Sequence, residues 1–281
     1  MSERAASRTA LLVAAYRARA TQRPQPLIAD PWAPALAGPE GEALASRLDA
    51  FLPHRELWVA VRTAFLDQQV LSRTRGASAL KQVVLLGAGL DTRAARLATP
   101  GVQFFEVDHP ASQRDKREGL ARLAGYPVDA ARYVACDFER DDFLVQLSRA
   151  GFRADEPSLV LWEGVTPYLQ EDAVRATLRR VATGFDSGTV LIFDHFLKRV
   201  VEAEAAPVKD VSTRAFVEEL GERFVFGTND PIPMLYEAGF RHVRSLSFDE
   251  ACLTFTGTYA REREFRFQRI VLASRACPLA P

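Results

Sequence analysis

Apolar residues recur along this chain at two spacings, and the switch between them divides it. Up to residue 73 the spacing is helical. Thr9, Leu12, Val13 and Tyr16 form one amphipathic stripe, residues 41–51 a second run, and residues 56–73 a third, in which Leu57, Val61, Phe65 and Leu66 line a face beside Arg62. Pro24, Pro26, Pro31 and Pro34 impose a loop between the first two runs. Beyond residue 75, short β-prone runs alternate with helical ones. Strands are predicted over residues 83–86, 102–107, 132–138, 158–162, 189–193, 241–248 and 265–274, the last with the pattern of a final antiparallel strand. Helices are predicted at 94–97, 111–125, 171–183 and 230–239, with a charged helical stretch at 197–226 that Pro207 interrupts. This alternation predicts an α/β fold: residues 1–75 form an N-terminal helical region, and residues 76–281 an α/β domain with a helical insert at 197–226.

The first strand ends in Gly87-Ala88-Gly89-Leu90-Asp91-Thr92-Arg93, a tight turn that leads into a helix. Glycine lacks the Cβ that would block a ligand and reaches backbone angles other residues avoid, so the turn suits a nucleotide-like cofactor. The third glycine of a dinucleotide fingerprint is missing, and Asp91 stands where a pyrophosphate would lie. Asp108 closes the second strand about 20 residues on, the place of a ribose-binding acid, although it also reads as an N-cap before Pro110. Asp137 and Phe138 close the third strand; an acid beside an aromatic suits an adenine, and a loop acid with a core Phe is the plain alternative. Glu163 closes the fourth strand before Gly164, Pro167 and Tyr168, and Asp194 and His195 follow the fifth. Ligands bind at such strand ends in open α/β sheets.

Composition narrows the partners. The 281 residues carry 36 basic and 36 acidic side chains, a net charge of zero, so nothing draws the whole chain to nucleic acid or an anionic membrane. Cys136, Cys252 and Cys277 are widely spaced and odd in number, which fits neither a disulfide framework nor a zinc cluster and implies a reducing cytoplasm. The apolar patch at residues 10–15 is too short for a signal peptide or a membrane span.

Taken together, Gln82-Val83-Val84-Leu85-Leu86-Gly87-Ala88-Gly89-Leu90-Asp91-Thr92-Arg93, Glu106-Val107-Asp108-His109-Pro110, Asp137-Phe138, Glu163-Gly164-Val165-Thr166-Pro167-Tyr168-Leu169 and Val61-Arg62-Thr63-Ala64-Phe65-Leu66-Asp67 resemble the leucine carboxyl methyltransferase family. The resemblance spans residues 8 to 200. It implies a class I methyltransferase, Rossmann-like fold: a mostly parallel seven-stranded sheet with an antiparallel last strand, helices on both faces and an N-terminal helical lid. It implies S-adenosyl-L-methionine as cofactor and gives residues roles. Arg62 pairs with the methionine carboxylate, Gly87 and Gly89 lie along the methionine and ribose, and Asp108 takes the ribose hydroxyls. Asp137 and Phe138 hold the adenine, Glu163 lies near the methionine ammonium, and Asp91 with Thr92 fixes the turn and reaches the cofactor through water.

The family methylates either a protein C-terminal carboxylate or small molecules. The stretch at 164–169 and the Arg- and Ala-rich N-terminus look more like the small-molecule branch, hence an O-methyltransferase for a carboxylate or hydroxyl of a small, polyketide-like metabolite. A carboxylate acceptor needs no base, whereas a phenol with a pKa of about 10 benefits from one. His195 and His109 stand near strand ends, His195 and Tyr168 being the candidates to position the acceptor; a loop-bonding His and a core Tyr are the plain readings. The rivals are a nicotinamide oxidoreductase and a silent cofactor-binding module; zero net charge and the lack of a basic aromatic stripe in this chain argue against a nucleic-acid methyltransferase.

Overall fold

Ser7 starts the first helix, α1 (Arg8–Thr21), by accepting the Ala10 amide on its hydroxyl at 3.3 Å. The computed structural model describes residues 7–50, 52–138, 140–202, 208–257, 266–276 and 278–279. Phe51, Pro207, Phe265 and Cys277, each used in the sequence reading, lie outside the described residues. The proline loop is shorter than expected. Pro34 falls in the first turn of α2 (Ala33–Asp49), where its missing N–H leaves no bond unmade, and Asp30 accepts the Trp32 and Ala33 amides at 3.2 and 3.1 Å. Gly38, at φ 57, and Pro39 kink α2. His54, left-handed at φ 71, opens α3 (Arg55–Thr74).

Strands and helices then alternate: β1 (Gln82–Leu86), α4 (Arg93–Arg96), β2 (Gln103–Asp108), α5 (Pro110–Ala121), β3 (Ala131–Ala135), α6 (Phe143–Arg149), β4 (Leu159–Trp162), α7 (Glu171–Gly184) and β5 (Val190–Phe196). After these come α8 (Lys198–Val201), α9 (Val208–Glu219), α10 (Ile232–Ala238), β6 (His242–Ser247), α11 (Phe248–Thr256) and β7 (Gln268–Ser274). The seven strands form one sheet in the order β3-β2-β1-β4-β5-β7-β6. β2 pairs parallel with β3, and β4 with β1 and β5; β7 runs antiparallel to both of its neighbours, as the alternating final segment predicts.

Two short helices escaped the sequence reading although their caps are legible. Asp142 accepts the Leu144 amide at 3.0 Å before α6, and a capping box of Ser247 and Glu250 starts α11. β5 runs three residues beyond its expected end because His195 and Phe196 continue the ladder opposite Arg269 and Gln268 of β7.

Contacts divide the chain into two units, Met1–Ala79 with Gly87–Ala150, and Leu80–Leu86 with Gly151–Pro281. In the first, α1 packs on α2 at Gly41, where an added Cβ would stand 2.6 Å from the Leu11 carbonyl oxygen. Gly41→Ala is therefore expected to cost about 1–3 kcal/mol, read as a shift in the urea midpoint with unchanged slope. In the second, every residue of β1, β4 and β5 is buried, which explains their continuous apolar runs. Among the described residues no helix is long and apolar enough to cross a membrane, and no group of three His, Cys, Asp or Glu could hold a metal ion.

Candidate functional site

The first unit contains the glycine turn. Gly87 (φ 67) and Gly89 (φ 46) both take the left-handed conformation that a side chain disfavours. Their amides face β2: Gly87 donates to the Val107 carbonyl at 2.8 Å, and Gly89 donates to Asp108 Oδ2 at 2.5 Å. Asp108 Oδ1 accepts the His109 amide at 2.7 Å. The cap of α5 belongs to His109, whose Nδ1 accepts the Ala111 amide at 3.3 Å, so the carboxylate of Asp108 serves the turn instead. A carboxylate has about four acceptor positions, and the two amides leave capacity for hydroxyl donors. Burial pushes the Asp108 carboxyl above the usual carboxylate range, and the Gly89 and His109 amides pull it back only in part.

Register brings the third strand's acid close. Asp108 pairs with Ala135, and the Cys136 amide donates to the Asp108 carbonyl at 2.8 Å. Asp137 follows directly, beyond the strand rather than within it, its amide donating to Asp141 Oδ2 at 2.9 Å. Phe138 is 37% exposed, with its ring 6.1 Å from that of Phe143. Arg62 lies in the middle of α3, 4% exposed, its guanidinium carbon 4.4 Å from the Trp58 ring centroid; Arg55 approaches the same ring at 5.0 Å.

Beside the turn runs a cluster of alternating charges. Arg17 on α1 donates from Nη2 to the Leu90 carbonyl at 2.6 Å and from Nε to Asp30 Oδ2 at 2.9 Å. Thr92 donates to the same Asp30 oxygen at 2.8 Å, and Arg96 Nε donates to Thr92 at 3.0 Å. Asp67 on α3 accepts from Arg93 Nε at 2.7 Å and Arg96 Nη1 at 2.6 Å. Asp91 accepts the Arg93 amide at 2.7 Å and pairs with the Arg93 guanidinium. Burial pushes Asp91 up, yet Arg93, Arg17, Lys116 and Arg96 outweigh it and hold the carboxyl at about 2. Lys116 Nζ donates to the Asp91 carbonyl and to Glu106 Oε2, each at 2.5 Å. Arg17, Asp30, Asp67, Glu106 and Lys116 had no assigned role in the sequence; spacing does not reveal partners that lie from 10 to 73 residues apart.

In the second unit, Glu163 directly follows β4. Asp194 fixes the turn after it: Oδ1 accepts the Gly164 amide at 2.6 Å, the Asp194 carbonyl accepts the Thr166 hydroxyl at 2.5 Å, and Gln268 donates to Oδ2. Tyr168 packs its ring 5.4 Å from Phe224, which stands edge-on to Phe196 at 5.0 Å. His195 is fully buried inside β5 with Nδ1 3.1 Å from the Phe196 carbonyl. Burial lowers its pKa to about 4, more than the carbonyls of Phe196 and Thr228 restore.

The model of the leucine carboxyl methyltransferase family matches residues 10–182. A Mycolicibacterium smegmatis protein named as an S-adenosyl-L-methionine-dependent methyltransferase is 37% identical over 211 residues, covering 70% of this chain and 69% of its own. A Mycobacterium tuberculosis protein of the same name is 33% identical over 230 residues, 75% of each. Among solved structures, a DUF574 family protein of Streptomyces avermitilis superposes with a TM-score of 0.66 at 13% identity, over 96% of this chain and 98% of that one. A Thermobifida fusca protein named as a methyltransferase gives 0.64 at 14% identity, over 94% and 93%. At these identities the superpositions show the fold.

Proposed function

This chain belongs to the leucine carboxyl methyltransferase family and is an S-adenosylmethionine-dependent methyltransferase, and we propose that it methylates an oxygen of a small metabolite, with a carboxylate as the favoured acceptor. When bound, the cofactor supplies a sulfonium methyl open to in-line displacement by the acceptor oxygen. The residues fit it: two left-handed glycines leave a Cβ-free approach, and Asp108 keeps acceptor capacity beside the Gly89 amide. In this reading Asp108 takes the ribose hydroxyls, Asp137 and Phe138 the adenine, Arg62 the methionine carboxylate, and Asp91 holds the turn.

The observation that favours a carboxylate acceptor is His195. It is fully buried inside β5 with Nδ1 3.1 Å from the Phe196 carbonyl, and burial holds its pKa down to about 4, so it is neutral at pH 7 and poorly placed to take a phenolic proton. An acid already ionised near neutral pH needs only alignment and exclusion of water. In the second unit, Asp194 supports the turn after Glu163, and the Tyr168 ring packs against Phe224.

The test is transfer of labelled methyl from S-adenosylmethionine to small carboxylic acids, phenols and a peptide ending in leucine. Carboxyl methyl esters release methanol in base, whereas methyl ethers do not. Base-labile label on a small acid is expected. Label confined to the peptide would move the chain to the protein-modifying branch, and base-stable label would assign a hydroxyl acceptor.

A further inference from the structure

The glycine turn is held from two directions, and one of them was not expected. On the β2 side, Val107 and Asp108 accept the amides of Gly87 and Gly89. On the other, the Leu90 carbonyl accepts from Arg17, a residue 73 positions earlier on α1. Arg17 is 8% exposed and its Nε is committed to Asp30, which is fully buried and caps α2 through its other oxygen. The guanidinium fork thus reaches the turn from a fixed base. Ala10 of the same helix lies 3.7 Å from where a Cβ on Gly89 would stand, so α1 comes close to the turn at a second point. A turn with two left-handed glycines has unusual backbone freedom, and the orientation of the Gly89 amide toward Asp108 depends on what fixes the peptides around it.

We infer that Arg17 is a positioning residue for the cofactor: by bridging the Leu90 carbonyl and Asp30 it locks residues 89–91 in the conformation that S-adenosylmethionine binds, making α1 part of the cofactor-holding apparatus. The inference rests on the assignment of Gly89 and Asp108 to the cofactor. A lysine at position 17 keeps the charge but lacks a planar fork that can serve both acceptors.

The experiment is isothermal titration of the full chain with S-adenosylmethionine and S-adenosylhomocysteine, alongside thermal unfolding and amide hydrogen exchange. Arg17→Lys and the neutral double variant Arg17→Met/Asp30→Asn are each expected to weaken both ligands about 10-fold or more and to speed exchange of the amides of residues 90–93. Arg19→Met is the stability control. Arg19 sits on the same helix but pairs with Glu42 and Asp49, so its loss lowers Tm without changing affinity. Wild-type affinity in either folded position-17 variant, or an equal loss in Arg19→Met, overturns the inference. Asp108→Ala separates the levels: if it binds as wild type, the site assignment fails; if it weakens binding while Arg17→Lys does not, only the role of Arg17 fails.

Discussion

Replacing Asp108 with Ala is expected to weaken S-adenosylmethionine binding about 100-fold or more while the chain stays folded. Two charge-assisted bonds to ribose hydroxyls, at about 1.5 kcal/mol or more each, give about 3 kcal/mol, and that is two orders of magnitude in Kd. The loss is local because stability changes in opposing directions. Two amides lose their acceptor, but a carboxylate that burial holds in an unfavourable ionised form is also removed. The pH dependence carries the same signature. The folded carboxyl titrates above its ordinary range, so affinity is present above that pKa and declines as pH falls through it, when the carboxylate gains a proton. Titrations carried from neutral pH down through the acid range should show this decline in the wild type and a flat profile in the variant. An unchanged Kd in folded Asp108→Ala would remove the residue from the site.

Lys116→Met is expected to be the most destabilising single change, about 3–5 kcal/mol at pH 8, because it leaves Glu106 buried without its cation. Glu106 is fully buried and Lys116 is 2% exposed. Burial raises the Glu106 pKa from 4.5 to about 7, and Lys116 opposes that rise without cancelling it. One carboxylate oxygen, Oε1, is buried with no hydrogen-bond partner among the described residues, which leaves room for a proton. The sign follows. Between about 4.5 and 7 the folded state holds this proton more tightly than the unfolded chain, so Glu106 contributes stability that is present below that window and lost as pH rises through it, on the order of 3 kcal/mol. Urea unfolding from pH 5 to pH 8.5 should show this slope in the wild type and its absence in Glu106→Gln. In Lys116→Met the carboxyl titrates higher still, and the deficit shrinks toward low pH. Parallel curves for wild type and Glu106→Gln would show that Glu106 titrates alike folded and unfolded.

The sheet was legible because buried parallel strands are continuous apolar runs, and the acids at their ends mark where those runs stop. Asp108 was readable as either a ribose ligand or a cap; His109 supplies the cap of α5, which leaves the ribose role as the proposal for Asp108. His195 was less legible. Apolar content falls at Asp194, yet the ladder with β7 carries the strand through Phe196, since a fully buried strand tolerates a neutral His and a hydrogen-bonded Asp. The cluster beside the turn was hidden for another reason. Arg and Asp on amphipathic helices and in a proline-rich loop read as solvated, and only tertiary packing reveals that Arg17 and Asp67 of the helices and Asp30 of the loop are buried.

That cluster sets Arg17, Arg93, Arg96 and Lys116 against Asp30, Asp67, Asp91 and Glu106, four cations facing four anions in one buried region. Balance of this kind constrains how the lineage can change. A lone substitution strands a charge away from water, and two changes in contact are strongly non-additive, so the permitted routes replace partners together. Descendants that have lost Arg17 should have lost the acid at position 30 as well, and those that keep Asp67 should keep at least one of the arginines at 93 and 96. The imprint left on diverged relatives would be paired inheritance between positions remote in the chain, a record of contacts that no local pattern encodes.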